Sequence, residues 1–338
     1  MSEIRQDPTT EEWVIVARER AKRPDEFRHR QPARKLPDFS SSCPFCPGNE
    51  SMTPPQTLLY QNQKGNGWQV RAFANKFAAL SPDGRVTRDT KEGFFTNMKG
   101  VGDHEVIAET PLHNRSLTSM GEDEVLKVLS AYHERYNKLS KQPFAKLIII
   151  FKNHGVMAGT SLEHSHSQLV VTPVVPKHIR LRHEVAIRYY DRSGRCLYSD
   201  LTEQELKSGK RIVMETEKFV TFHPFASQRP FETWILPKKH QASFGSVSTE
   251  DLGNLAHVLR INLVKLYRGL NDPDFNYVID TAPVGDENEP YYTWHMRIIP
   301  RLTEAAGFEI GSGIYINTAV PEETAGFIRD LDIEPEAE

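Results

Sequence analysis

Gly159-Thr-Ser-Leu-Glu-His164-Ser-His166-Ser-Gln168-Leu-Val-Val-Thr-Pro173 sets two histidines and a glutamine at alternate positions ahead of an apolar run. Successive side chains of an extended strand point to opposite faces. His164, His166 and Gln168 therefore share one face. A plain core strand has no need of such a pattern, so this stretch is the expected chemical centre.

Reading outward, Ala145 to Phe151 is a buried strand and Asn153-His-Gly155 a turn. Ser119 and Glu122 read as a capping box. Behind it Val125, Val128, Leu129, Tyr132, Tyr136 and Leu139 keep helical spacing. Further upstream, Gln69 to Ala79 is a strand entering a turn, and His104 to His113 a strand ending in a histidine. The same order then recurs. Phe231 to His240 is a strand ending in a histidine, and Ser248 caps a helix with Leu252, Leu255, Val258, Leu259, Leu263 and Leu266 at helical spacing. Asn276 to Asp280 and Tyr291 to Pro300 are strands. His113 to His240, Asn153 to Asp280 and Pro173 to Pro300 each span 127 positions. One offset at three landmarks indicates a duplicated unit. The expected fold is α+β, a mostly antiparallel sheet with packed helices. The halves are expected at 1–185 and 186–338. At this offset His164, His166 and Gln168 fall on Tyr291, Thr293 and His295, so the second half lacks the His-x-His pair. The first half is expected to react and the second to supply substrate contacts.

Net charge is −3, so no global basic field points to nucleic acid. The apolar run Leu147–Phe151 is too short to span a bilayer. The N-terminus carries no apolar signal core, and three cysteines make no disulfide framework, so a cytoplasmic protein is expected.

Cys43-Pro-Phe-Cys46-Pro-Gly48 makes a knuckle that can aim two thiolates at one ion, with redox use as the competing reading. Zinc normally takes four ligands, and His113 and His164 would complete a closed Cys2His2 set. His166, on the same face, can attack phosphorus as a neutral imidazole and form a phosphoramidate. Gln168 has an amide to donate. Gly155, Gly159, Thr160 and Ser161 either cradle phosphate as a backbone nest or form an ordinary turn. Arg18 to Arg23 is a solvated loop or an anion clamp.

The run Phe151-Lys-Asn153-His-Gly155 with His-Ser-His-Ser-Gln resembles the histidine-triad superfamily, and most of all its galactose-1-phosphate uridylyltransferase branch. Arg20-Ala-Lys-Arg23-Pro, Cys43-Pro-Phe-Cys46, Pro111-Leu-His113, Glu215-Thr-Glu-Lys218 and Pro230 to His240 extend the resemblance over nearly the whole chain. It implies a duplicated histidine-triad fold, His166 as nucleophile and Gln168 as the residue positioning the transferred phosphoryl group. It implies zinc on Cys43, Cys46, His113 and His164. Asn153 and Ser161 would contact phosphate, Asn75 and Phe77 would line the nucleotide pocket, and Arg20 and Arg23 would lie near the substrate. Serine replaces the proline of the usual His-Pro-His. Near the C-terminus, Phe308-Glu-Ile-Gly311-Ser-Gly313-Ile-Tyr315-Ile-Asn317 replaces the family's Gly-Tyr-Glu and resembles the related ADP-glucose phosphorylases. A second metal site is not expected, because Ser199 stands where a partner for Cys196 would be needed.

The expected activity is nucleotidyl transfer between a nucleotide sugar and a sugar 1-phosphate, by ping-pong chemistry through a nucleotidyl-histidine. A UDP-glucose–hexose-1-phosphate uridylyltransferase leads. An ADP-glucose phosphorylase, a nucleotide hydrolase and a non-catalytic nucleotide-binding module are the alternatives. The resemblance also implies a homodimer.

Overall fold

The computed structural model describes residues 1–28, 35–62 and 64–333. Part of the Pro-rich segment before Ser42 thus lies outside the described residues. The first half contains β1 (Glu3–Gln6), β2 (Trp13–Val16), β3 (Gln56–Gln61), β4 (Trp68–Ala74), β5 (Arg88–Lys91), β6 (Phe95–Met98), β7 (Asp103–Ala108), α1 (Glu122–Leu139), β8 (Leu147–His154) and β9 (His166–Thr172). Next come α2 (Lys177–Ser193), α3 (Leu197–Ser208), β10 (Ile212–Glu215), β11 (Phe219–Phe222), β12 (Thr233–Pro237), α4 (Thr249–Leu270), β13 (Phe275–Asp280), β14 (His295–Pro300), α5 (Gly307–Ser312), β15 (Tyr315–Asn317) and α6 (Pro321–Arg329).

Ten strands make one sheet in the order β10-β11-β12-β14-β13-β8-β9-β7-β4-β3. Five come from each half, and all nine pairings are antiparallel. Strands β8 and β13 form the seam, with Asn153 opposite Asn276. The fold is therefore α+β and duplicated. A small second sheet, β1-β2-β15, ties the N-terminal strands to the C-terminal region.

Helices α1 and α4 lie side by side on one face of the sheet. Each buries the stripe that its sequence spacing defines. Val125, Val128, Leu129, Tyr132, Tyr136 and Leu139 are buried on α1, and Leu252, Leu255, Val258, Leu259, Leu263 and Leu266 on α4. A fully buried large apolar side chain contributes about 1.5–3 kcal/mol, which is what holds these helices down. No helix among the described residues is long and apolar enough to cross a membrane.

Three local expectations change. The Ser119–Glu122 capping box does not form. Gly121 is the N-cap of α1, and its N–H donates to Glu124, the third helical residue, at 2.9 Å. Ser119 Oγ instead donates to Ser116 O within the preceding turn. The turn expected at Asn153–Gly155 starts later, because β8 runs through His154. The 127-residue offset also slips by two in the last strand. In the first half Ile150 faces Leu169, and in the second Tyr277 faces Ile298. If Ile150 corresponds to Tyr277, then Leu169 corresponds to Ile298, 129 positions on. His166 thus corresponds to His295, and Thr293 stands where His164 does.

Candidate active site

Alternation along β9 sorts its side chains as expected. Ser167 faces Lys152 across the ladder, and both turn toward α1. His166 and Gln168 take the other face. His164 lies two residues before β9, and the Phe45 ring touches both histidines at centroid distances of 6.0 and 5.2 Å.

The Cys43–Cys46 turn brings both thiols onto His113 and His164. Cys43 Sγ and Cys46 Sγ lie 3.7 and 3.6 Å from His164 Nδ1, and Cys46 Sγ lies 3.5 Å from His113 Nδ1. All four ligand atoms fall within 4.8 Å of one another, and all four residues are buried. Tetrahedral bonds of about 2.0–2.3 Å place ligand atoms roughly 3.3–3.8 Å apart, so the group fits a metal ion of zinc's size. His164 Nε2 donates to the Thr110 carbonyl at 2.7 Å, which leaves Nδ1 free to ligate. Burial lowers the His164 pKa to about 4, so its ring is neutral, as a ligand must be. Burial also raises the Cys43 thiol, which an ion would reverse.

His166 is 6% exposed. Its Nδ1 donates to the His164 carbonyl at 2.8 Å, so the lone pair sits on Nε2. Burial, assisted by the Lys152 charge, holds the ring below its ordinary pKa and so in the nucleophilic form. A cavity of about 250 Å³ opens here, lined by His166, Lys152, Asn153, His154, Gly155 and Thr160 among others. Gly155 and Gly159 both take φ +84°, which side chains rarely adopt. A Cβ on Gly155 would stand 1.8 Å from Asp274 Oδ1, and Asp274 Oδ2 accepts the Met157 N–H at 2.6 Å. The Gly155–Ser161 loop is thus pinned from the second half.

Behind His166 lies a buried polar cluster. Lys152 Nζ donates to Glu109 at 2.6 Å, to Ser165 Oγ at 2.9 Å and to the His166 carbonyl at 3.1 Å. Glu109 also accepts from Ser165 at 2.6 Å, from Tyr132 at 2.8 Å, and from Ser167. Burial alone would raise the Glu109 carboxyl, but the Lys152 charge and these donors bring it below its ordinary value. The cluster explains why serine follows each histidine: both hydroxyls are spent on Glu109.

On the β7 side, His104 Nε2 lies 2.7 Å from Gln168 Oε1, and Asn75 Nδ2 reaches the same oxygen at 3.5 Å. On the β8 side, Asn276 donates to Asn153 Oδ1 at 2.8 Å. The structure thus gathers His166, Gln168, Asn75 and Asn153 around β9. Ser161 is exposed in the pinned loop, and Phe77, 86% exposed, projects from the turn after Asn75. Arg20 closes one short 3-10 turn and Arg23 precedes another; both are exposed, and neither hydrogen-bonds to β9 among the described residues.

Sequence reading missed Glu109, Lys152, His104 and Asn276. A charged residue closing each apolar run, Glu109 after Val106-Ile-Ala and Lys152 after Leu147–Phe151, was the available signal. The second half shows the same frame with other side chains. His295 Nδ1 donates to the Thr293 carbonyl at 3.1 Å, just as His166 does to His164. Asp280 and Arg297 occupy the places of Asn153 and Gln168 and pair at 2.5 Å, with Arg182 at 3.1 Å. Trp234 stacks on the His295 ring at 4.8 Å.

A model of the galactose-1-phosphate uridyl transferase N-terminal domain matches residues 1–176, and one of the C-terminal domain matches 183–314. The chain is 36% identical to an ADP-glucose phosphorylase of Arabidopsis thaliana over 98% of this chain and 93% of the relative. It is 30% identical to a galactose-1-phosphate uridylyltransferase of Thermotoga maritima over 99% and 100%. The solved structure of an Arabidopsis thaliana ADP-glucose phosphorylase with bound ADP-glucose superposes with a TM-score of 0.82 at 32% identity, over 98% of this chain and 100% of that one. Two domain models that together span most of the chain, and relatives at 30% identity or more over nearly its full length, place it: the chain belongs to the galactose-1-phosphate uridyl transferase family and is a nucleotidyltransferase.

Proposed function

We propose that the protein is an ADP-sugar phosphorylase that works through a covalent adenylyl-histidine. His166 Nε2 attacks the α-phosphorus of an ADP-hexose. The bond from that phosphorus to the bridging oxygen breaks, and hexose 1-phosphate leaves. Inorganic phosphate then attacks the adenylyl-histidine, giving ADP and restoring His166. Gln168, Asn153 and Ser161 donate to the phosphoryl oxygens, with the backbone at Gly159 close to them; one such donor is worth about 10²–10³ in rate. Asn75 and Phe77 flank the base, and Arg20 and Arg23 face the anionic substrates. Zinc on Cys43, Cys46, His113 and His164 holds the N-terminal segment against β9.

The observation that carries this reading is the likeness, over 98% of this chain, to a phosphorylase of 36% identity. The His164-Ser-His166-Ser-Gln168 run, which resembles the ADP-glucose phosphorylases, supports it too, and here both serines are bonded into the Glu109–Lys152 cluster. A uridylyltransferase acting on UDP-glucose and a hexose 1-phosphate is the second reading. It is favoured by the 30% identity to the Thermotoga maritima enzyme over its full length. A homodimer in the cytoplasm belongs to either reading.

The test is incubation with ADP-glucose or UDP-glucose labelled in the α-phosphate. Acid-labile protein label from ADP-glucose, discharged by inorganic phosphate, is expected. Label from UDP-glucose discharged by galactose 1-phosphate selects the second reading. Label that persists in His166→Ala sinks the covalent mechanism.

A further inference from the structure

We infer that His104 and Asn276 are positioning residues that lock the Gln168 and Asn153 amides in one orientation, so that only their NH2 groups face the phosphoryl group. An amide has one face that donates and one that accepts, and a half-turn exchanges them. Beside a phosphoryl oxygen the wrong face repels. Here backbone groups, which cannot turn over, decide the matter.

On the Gln168 side the chain of reasoning starts in the turn after β4. The Phe77 N–H donates to Asn75 Oδ1 at 2.9 Å, so Asn75 must present Nδ2 to Gln168 Oε1. The Ala79 N–H donates to His104 Nδ1 at 3.3 Å. That nitrogen holds the lone pair, so Nε2 holds the proton and donates to Gln168 Oε1 at 2.7 Å. Asn75 Nδ2 and His104 Nε2 lie 3.1 Å apart because both aim at that oxygen. On the Asn153 side, the Ala158 carbonyl accepts from Asn276 Nδ2 at 2.9 Å. The second hydrogen on Nδ2 goes to Asn153 Oδ1 at 2.8 Å. Both amide oxygens are therefore occupied from behind, one by a residue of β7 and one by a residue of β13. Turning either amide over would set N–H against N–H. The second half contributes Asn276 across the seam, and that is its direct part in orienting the reaction. The inference rests on the proposed role of Gln168 and Asn153 as phosphoryl contacts.

The test is a pair of double-mutant cycles read as the rate of His166 labelling from ADP-glucose. His104→Phe and Asn276→Asp are each expected to slow labelling by roughly 10- to 100-fold, less than outright loss of a donor. In a Gln168→Ala background His104→Phe should cost nothing further, and likewise Asn276→Asp in an Asn153→Ala background. His104→Gln, which keeps a donor, should recover part of the rate. Equal losses in both backgrounds would show a merely structural role and overturn the lock. Unimpaired labelling in Gln168→Ala and Asn153→Ala would overturn it as well, while leaving the His166 chemistry standing. A readout that needs no turnover is the nitrogen-15 spectrum of His104, assigned by its loss in His104→Phe. The Nε2–H tautomer supports the lock, and the Nδ1–H tautomer overturns it, whichever nucleotide is transferred.

Discussion

Lys152 and Glu109, 2% and 0% exposed at their side chains, are the clearest case of one residue depending on another. Removing one partner of a buried ion pair strands the other charge. Lys152→Met is expected to cost about 3–5 kcal/mol of stability in urea denaturation, and Lys152→Met with Glu109→Gln distinctly less. A double variant no more stable than the single would mean that the cluster is not coupled. At the metal group, Cys43→Ser is expected to lower bound zinc and the Tm together, measured by elemental analysis and thermal melting; unchanged zinc would remove these ligands. Cys43, Cys46, His164 and His166 stood out as candidates because each sits in a short pattern whose geometry is local, whereas His113 lies 51 positions from His164 and joins them only through the fold. Glu109, Lys152, His104 and Asn276 did not, because the first three meet β9, and Asn276 meets Asn153 of β8, only through the order of strands in the sheet. No spacing along the chain encodes that order.

Among the elements, the loop between β8 and β9 is where sequence and geometry are most tightly bound. Gly155→Ala forces a side chain into a φ of +84° and against Asp274. The expected result is slower His166 labelling with a smaller change in Tm, since the loop shifts while the sheet stays. A variant that labels at the native rate would show that the loop does not cradle the phosphoryl group. In α4 the Ser248 hydroxyl accepts the Asp251 N–H at 3.1 Å, and Ser248→Ala should cost about 1 kcal/mol. That cap was legible as Ser-Thr-Glu-Asp, whereas the α1 cap was not. Ser119 and Glu122 have suitable spacing, but the helix starts at Glu122, and glycine offers no side chain to mark it. Helix faces were read correctly because apolar spacing records burial directly. The two-residue slip of β14 escaped because the match of Pro173 with Pro300 located a strand end, and strand ends do not set register.

For the molecule as a whole, acid sensitivity follows from histidines buried without charge. Burial lowers His183 and His295 to about 4 and His223 to about 3, against an ordinary value of 6.5. The unfolded chain therefore takes up protons that the folded chain refuses. Stability from this source is complete above about pH 6.5 and is lost as pH falls toward those values. His223→Asn should flatten the fall of Tm between pH 6.5 and 3, on the order of a few kcal/mol in unfolding free energy. An unchanged slope would place the loss elsewhere.

The seam between β8 and β13 has a consequence for how the protein can be divided. Five residue pairs, Ile150–Ile279 through His154–Phe275, close the middle of the sheet. A chain cut between Thr172 and Lys177 yields two pieces, each ending its sheet in a long apolar edge that invites pairing with any other strand. Produced alone, each piece is expected to aggregate. Produced together, each is the other's template, and labelling of His166 in such a mixture would report that two separately made polypeptides had met.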